Sequence, residues 1–241
     1  MNIVREDTTN LSVNLERNIV SQPTMDIPIS NKYDVIVAGG SPTGVTAAIA
    51  AARNGADTLL VERYGFLGGQ MTAGLGCCPH SPFSAPKDKQ EQGNEPIYIE
   101  FLRRSVNASG LKFSWEDVEK DPKLDVFLNP EPCKHVLFQM VEEAGVKLLL
   151  HTFVTDAIVE DREVKGIIVE NKGGRQALLG KVVVDATGDA DIVARTGAPY
   201  NLRPVDQRWG PGMHCLMCNV DVATTIRYLK EHPDQFNHTI R

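Results

Sequence analysis

YDVIVAGGSPTGVTAAIAAARNGADTLLVER, from Tyr33 to Arg63, decides the fold. Tyr33 to Ala38 is a short apolar run rich in β-branched residues, the pattern of a buried parallel strand. Gly39-Gly40 ends it. Pro42 suits a first helical turn, where its missing N–H costs nothing. Alanine-rich sequence carries the helix on to Arg53, and Asn54-Gly55 stops it. Thr58 to Val61 is a second buried strand. Together they form a βαβ unit of about thirty residues.

Gly39, Ser41 and Gly44 occupy the glycine positions of G-x-G-x-x-G between strand and helix. In that pattern the first glycine makes a tight turn. The second lets backbone approach a pyrophosphate, and the third lets helix pack on strand. The helix N-terminus adds unpaired N–H groups and partial positive charge. Glu62, 18 residues beyond Gly44, ends the second strand. A carboxylate there accepts hydrogen bonds from an adenosine ribose and repels a 2′-phosphate. The pattern points to a dinucleotide site without NADP. Serine at 41 leaves two readings: its hydroxyl bonds a phosphate oxygen, or its bulk weakens the site. The turn alone also leaves FAD and NAD open.

The totals set limits. The chain has 241 residues, 42% hydrophobic and 23% charged, with formal net charge -6. No basic footprint for nucleic acid or anionic membrane is present. Apolar runs are too short to span a bilayer, and the first thirty residues lack the apolar core of a signal peptide. Five cysteines and no secretion signal lead us to expect reduced thiols in a cytoplasm. Residues 1–30 read as an N-terminal tail or edge arm, 31–200 as one α/β domain with an irregular insertion at about 77–128, and 201–241 as the start of another domain.

Further along, helices are expected at Pro96 to Ser105, Pro130 to Ala144, Ala190 to Arg195 and Val222 to Glu231, with a strand at Val146 to Leu150. Phe153 to Val159, Val164 to Glu170 and Arg175 to Leu179 alternate with period two, as in a three-stranded β-meander. Val182 to Asp185 reads as a separate buried strand running into Ala-Thr-Gly-Asp. Met213 to Val220 reads as extended. The run EDVEKDPKLD reads as a solvated face or loop.

Three stretches resemble the FAD-dependent oxidoreductase family with the glutathione-reductase-like fold. They are DVIVAGGSPTGVTAAIAAARNGADTLLVER, then YGFLGGQMTAG, then VVVDATGDADIVARTGAP. LNPEPCKHVLFQMVEEAGVKLLLHTFVTDAIVEDREVKGIIVE is similar to the family's helix, third strand and meander. The resemblance covers about residues 33–230 and is weakest over 77–128. It implies a Rossmann-like FAD-binding domain with a parallel sheet and meander, and FAD as cofactor. By match, Gly39, Gly40, Ser41, Pro42, Thr43 and Gly44 hold the pyrophosphate. Glu62 holds the ribose, with Arg63 beside the adenine. Gly68, Gly69, Gln70 and Met71 line the pyrophosphate and flavin side. Val154 meets adenine through its main chain, and Ala186, Thr187, Gly188 and Asp189 turn against the cofactor. A strand ending in Ala-Thr-Gly also presents bare backbone at the carboxyl edge of a sheet, where ligands bind. A plain strand-to-helix turn with Asp189 as cap explains it too.

The implied activity is hydride exchange between flavin and a small organic substrate. The alternatives are an incomplete or non-catalytic nucleotide-binding module, an NAD-dependent dehydrogenase, and a subunit completing another flavoprotein chain. The expected partners are the substrate and either further copies of this chain or a completing chain. No catalytic side chain is identified. His80 is a candidate proton donor or acceptor, and a surface-loop histidine is the plainer reading. Cys77 and Cys78 read as ordinary thiols. Cys215 and Cys218 spell C-x-x-C, but in an extended apolar segment they read as core residues rather than a redox or metal pair. No metal site is expected. Family members continue beyond the point matched at residue 241, and GMHCLMCNVDVATTIRYLKEHPDQF resembles the opening of their substrate domain. The sequence therefore reads as a fragment, a truncated product or one part of a split enzyme, with an exposed apolar edge.

Overall fold

The computed structural model describes residues 12–21, 24–76, 96–120, 128–208, 212–213, 215 and 217–235. They divide into two units. The first takes Met1–Leu67 and Leu137–Tyr200, the second Gly68–Val136 and Asn201–Arg241.

The first unit is built on a six-stranded sheet. A small antiparallel pair, β1 (Ser12–Asn14) and β2 (Ile19–Ser21), precedes it, within the segment read as a tail or edge arm. The sheet strands are β3 (Ile29–Ala38), β4 (Thr58–Val61), β5 (Lys147–Leu149), β6 (Phe153–Glu160), β7 (Glu163–Asn171) and β8 (Gly174–Asp185). Their order is β5-β4-β3-β8-β7-β6. The pairs β5-β4, β4-β3 and β3-β8 are parallel; β8-β7 and β7-β6 are antiparallel. This is the expected α/β architecture with one correction. The sequence reads two strands where β8 is one. Its first half closes the meander against β7, and its whole length from Ala177 to Asp185 pairs with β3.

Helix α1 (Pro42–Arg53) links β3 to β4 and packs on both. On one face of the sheet Ile36, Ala38, Leu59 and Val61 share a fully buried cluster with Ile167, Val169 and Leu178. Ile192 of α5 (Asp191–Arg195) joins it. Alternation in the strands sends Val37 and Leu60 to the opposite face, and both are fully buried there. The β6–β7 hairpin turns through Asp161 and Arg162, both left-handed, as a tight two-residue turn requires.

The second unit carries α2 (Ile97–Ala108), α3 (Trp115–Lys120) and α6 (Val222–Glu231). α4 (Pro130–Glu143) runs from it into the first unit. Phe101, Leu102, Val106, Trp115 and Val118 are buried. Glu116, Asp117, Glu119 and Lys120 form the exposed side of α3; the rest of the run EDVEKDPKLD after Lys120, read as a solvated face or loop, lies outside the described residues. No strand is formed by the described residues between 212 and 220. Among the described residues no helix is long and apolar enough to cross a membrane.

Candidate functional site

Three neighbouring parallel strands end side by side. Ala38 of β3 pairs with Val61 of β4 on one side and with Asp185 of β8 on the other. The sequence motifs that follow those strands therefore meet at one sheet edge: Glu62, then the glycine turn, then Ala186–Gly188. In open α/β sheets this is where ligands bind.

The turn is held by backbone packing. Gly39 sits at φ +106° and donates its N–H to Val61 at 2.8 Å. A Cβ at Gly39 would lie 2.3 Å from the Ala186 carbonyl oxygen, and one at Gly44 1.8 Å from the Gly39 carbonyl oxygen. Only glycine fits either place. These contacts also lock the glycine turn to the turn after β8, through the Ala186 N–H donated to Ala38 at 2.9 Å.

Ser41 caps α1. Its backbone is extended, and its hydroxyl accepts the Gly44 N–H at 3.3 Å and donates to the Ala186 carbonyl at 3.4 Å. Serine here does not block the turn; it ties α1 to β8. Pro42 has no N–H, and Val45 donates back to Ser41. Among the described residues, the N–H groups of Ser41 and Thr43 are the donors left at the positive end of this twelve-residue helix.

Glu62 is buried, 6% exposed, and turned inward. One carboxylate oxygen accepts the Gly40 N–H at 2.6 Å, the other the Tyr64 N–H at 2.8 Å. Each oxygen keeps a second lone pair, so this geometry leaves capacity for a sugar hydroxyl. The Glu62 main chain accepts Thr152 at 3.0 Å, and Tyr64 accepts His151 at 3.1 Å. That pairing brings the start of β6, and Val154, beside the acid's segment. The Val154 side chain is half-buried against the core cluster. Arg63 is exposed, with its guanidinium 4.9 Å from the centre of the Tyr64 ring; that ring stacks on Phe66 at 5.5 Å.

Asp185 was not singled out in the sequence, and it organises the third motif. One carboxylate oxygen accepts the Thr187 N–H at 3.1 Å and the Thr187 hydroxyl at 2.7 Å. The other accepts the N–H groups of Ile192 at 2.9 Å and Val193 at 3.0 Å. Burial opposes its ionisation, but these hydrogen bonds outweigh burial and hold its pKa below the ordinary aspartate value. The signal for it was the residue before Ala-Thr-Gly: a side chain at a strand end, ahead of a helix, is placed to cap it. Asp189 is exposed; in the plainer reading of this turn it would cap the helix, but the side chain that accepts the α5 N–H groups is Asp185.

A pocket of about 280 Å³ opens at this edge, lined by Ser41, Thr43, Asp185, Ala186, Gly188 and Val193 among others. Gly68, Gly69, Gln70 and Met71 belong to the second unit, as a short 3-10 turn with Gly68 at φ +109°. Met71 is buried and Gln70 exposed. His80, Cys77's pair partner Cys78, and Cys77 itself lie outside the described residues. Cys215 and Cys218 are both exposed. This corrects their reading as core residues: the segment has no strand partner among the described residues to pack against. No group of three or more histidine, cysteine or acidic side chains suited to a metal ion occurs among the described residues.

Residues 34–240 match the sequence model of the family described as FAD dependent oxidoreductase. The chain belongs to that family. Its cofactor is FAD, which decides the choice that the glycine turn left open. Among curated proteins, the thiamine thiazole synthase of Methanococcus vannielii is 31% identical over 174 residues, 68% of this chain and 59% of that protein. The digeranylgeranylglycerophospholipid reductase of Methanosarcina acetivorans is 28% identical over 176 residues, 72% of this chain and 42% of its own length. A solved structure of a geranylgeranyl bacteriochlorophyll reductase-like protein from Thermoplasma acidophilum aligns at 19% identity with a TM-score of 0.49, covering 69% of this chain and 42% of that one. This FAD-dependent oxidoreductase chain thus spans 59% and 42% of the two curated relatives.

Proposed function

We propose that the edge formed by β4, β3 and β8 holds the adenosine-diphosphate half of FAD, and that the protein oxidises or reduces a small organic molecule by hydride transfer. The observation that carries this reading is the pocket at the N-terminus of α1. Ser41 and Thr43 line it and bring the N–H groups left over at that helix end, the arrangement that suits a phosphate. Asp185 lines it too, but its oxygens already take four donors, so its charge is offset where an anion would approach.

Glu62 is the group for the ribose, through the lone pairs that Gly40 and Tyr64 leave open. Arg63 and the main chain at Val154 are the groups for the adenine side. Gly68 to Met71 are the candidates for the flavin side. Bound FAD supplies the redox chemistry, and the protein's part is to bind, orient and exclude water. The two relatives bear names of different chemistry, so no narrower substrate class is proposed.

The test is the visible spectrum of the purified chain, with the released cofactor weighed by mass spectrometry. Flavin bands, an FAD mass and bleaching by a chemical reductant are expected. Colourless protein that takes up no added FAD overturns the reading. A second reading is favoured by the exposed apolar side chains of Met213, Met217, Val222 and Ile226: a chain that retains flavin only with a completing partner. Flavin lost on purification of this chain alone, and kept on co-purification with a partner, is its signature.

A further inference from the structure

The geometry assigns Asp185 as a positioning residue for the nucleotide pocket, acting through Thr187 and α5 rather than by touching the ligand. This rests on the pocket being the FAD site.

The argument follows one chain of hydrogen bonds. Asp185 is the last residue of β8, level with Ala38 at the start of the glycine turn. Its first oxygen fixes Thr187 by both N–H and hydroxyl. The Thr187 hydroxyl in turn accepts the Asp191 N–H at 2.9 Å. The second oxygen of Asp185 takes the next two N–H groups of α5, those of Ile192 and Val193. The far end of α5 is tied as well. Arg195 donates from Nε to the Thr155 carbonyl at 2.9 Å and from its terminal nitrogen to the Asp191 carbonyl at 2.7 Å. The turn after β8, Ala186–Gly188, and β6 at Thr155 are thereby braced through a single five-residue helix.

The backbone between Asp185 and α5 needs such a brace. Gly188 lies at φ +96° and Ala190 at φ +57°. A left-handed alanine is disfavoured for an L-residue, and it persists where surrounding bonds over-determine it. Gly188 and Ala190 both line the pocket. Relaxing the turn therefore changes the pocket wall itself. The carboxylate is the only group in the network that accepts four donors at once, and an amide at that position presents donors to the N–H groups of Ile192 and Val193.

The experiment is FAD titration of the full chain, followed by flavin fluorescence, with thermal melting of the flavin-free protein measured alongside. The variants are Asp185→Asn, Thr187→Val, Thr187→Ser and the double variant Asp185→Asn with Thr187→Val. Asp185→Asn and Thr187→Val each weaken FAD binding about tenfold, the scale of losing a charge-assisted hydrogen bond. Thr187→Ser keeps the hydroxyl and restores affinity to within about twofold of the original protein, the scatter that a non-disruptive change carries. The double variant loses no more than the worse single one, because both act on one connection. A simply structural role predicts affinity losses that add and that follow the melting temperatures; either result overturns the assignment, as does Asp185→Asn binding FAD like the original. If the unaltered chain binds no FAD, the pocket reading fails first and takes this assignment with it. Should Asp185→Asn not fold, the Thr187 pair alone decides.

Discussion

The Glu62 carboxylate accepts the main-chain N–H of Gly40 at 2.6 Å across the ends of two adjacent parallel strands. The acid placed by the sequence next to a ribose is also a strut for the glycine turn. Its second oxygen fixes Tyr64 in the same way. Glu62→Ala strands two N–H groups, one of them buried. It is expected to destabilise folding by about 1–3 kcal/mol, read by denaturant unfolding, and to lower FAD affinity in titration. Unchanged stability would falsify the strut.

Gly44 tests how tightly helix and strand are joined. A Cβ there meets the Gly39 carbonyl oxygen at 1.8 Å, and backbone cannot swing away as a side chain can. Gly44→Ala is expected to cost about 3 kcal/mol or more, at the upper end for overpacking. The midpoint of chemical denaturation reports it. A variant as stable as the original would mean that α1 shifts freely on β3.

Ser41 separates capping from ligand contact. Ser41→Ala removes the acceptor for the Gly44 N–H and is expected to cost about 1 kcal/mol; Ser41→Gly costs only a few tenths, roughly, because glycine is a fair N-cap. Paired FAD titrations then show what the hydroxyl adds to binding. Equal affinity in both variants and in the original assigns the serine to the cap alone.

Acid should weaken the third motif through Asp185. Its pKa is lowered in the folded chain, with burial opposed and overcome by its four hydrogen bonds. The unfolded chain therefore binds the proton first. The stabilisation is present above the ordinary aspartate pKa of about 3.9 and is lost as pH falls through the lower folded value. Asp185→Asn should flatten the acid limb of a stability-against-pH curve. A limb of the same steepness in the variant would show that other carboxylates control it.

Thiol accessibility differs across the chain. Cys215 and Cys218 are exposed, whereas Cys133 on α4 is fully buried. Alkylation of the native protein, mapped by peptide mass, should modify the first two and reach Cys133 only after unfolding. Modification of Cys133 at the native rate would place α4 differently.

Local chemistry made much of this legible. Gly39, Gly44 and Pro42 state their conformations, because a positive φ, a close backbone approach and a missing N–H each exclude most other residues. Period-two alternation gave the meander, and Val222 to Glu231 is a helix from the first residue expected to the last. What one strand shares with its neighbours is not local. The break at Gly180-Lys181 divides β8 in sequence, yet its ladder with β3 runs through, since partners across a sheet come from distant segments. For the same reason only the folded chain turns Glu62 inward, makes Asp185 the centre of four hydrogen bonds, and leaves Cys215 and Cys218 in solvent. Residue type and spacing set which groups end each strand; the adjacency of β4, β3 and β8 sets which of those groups meet.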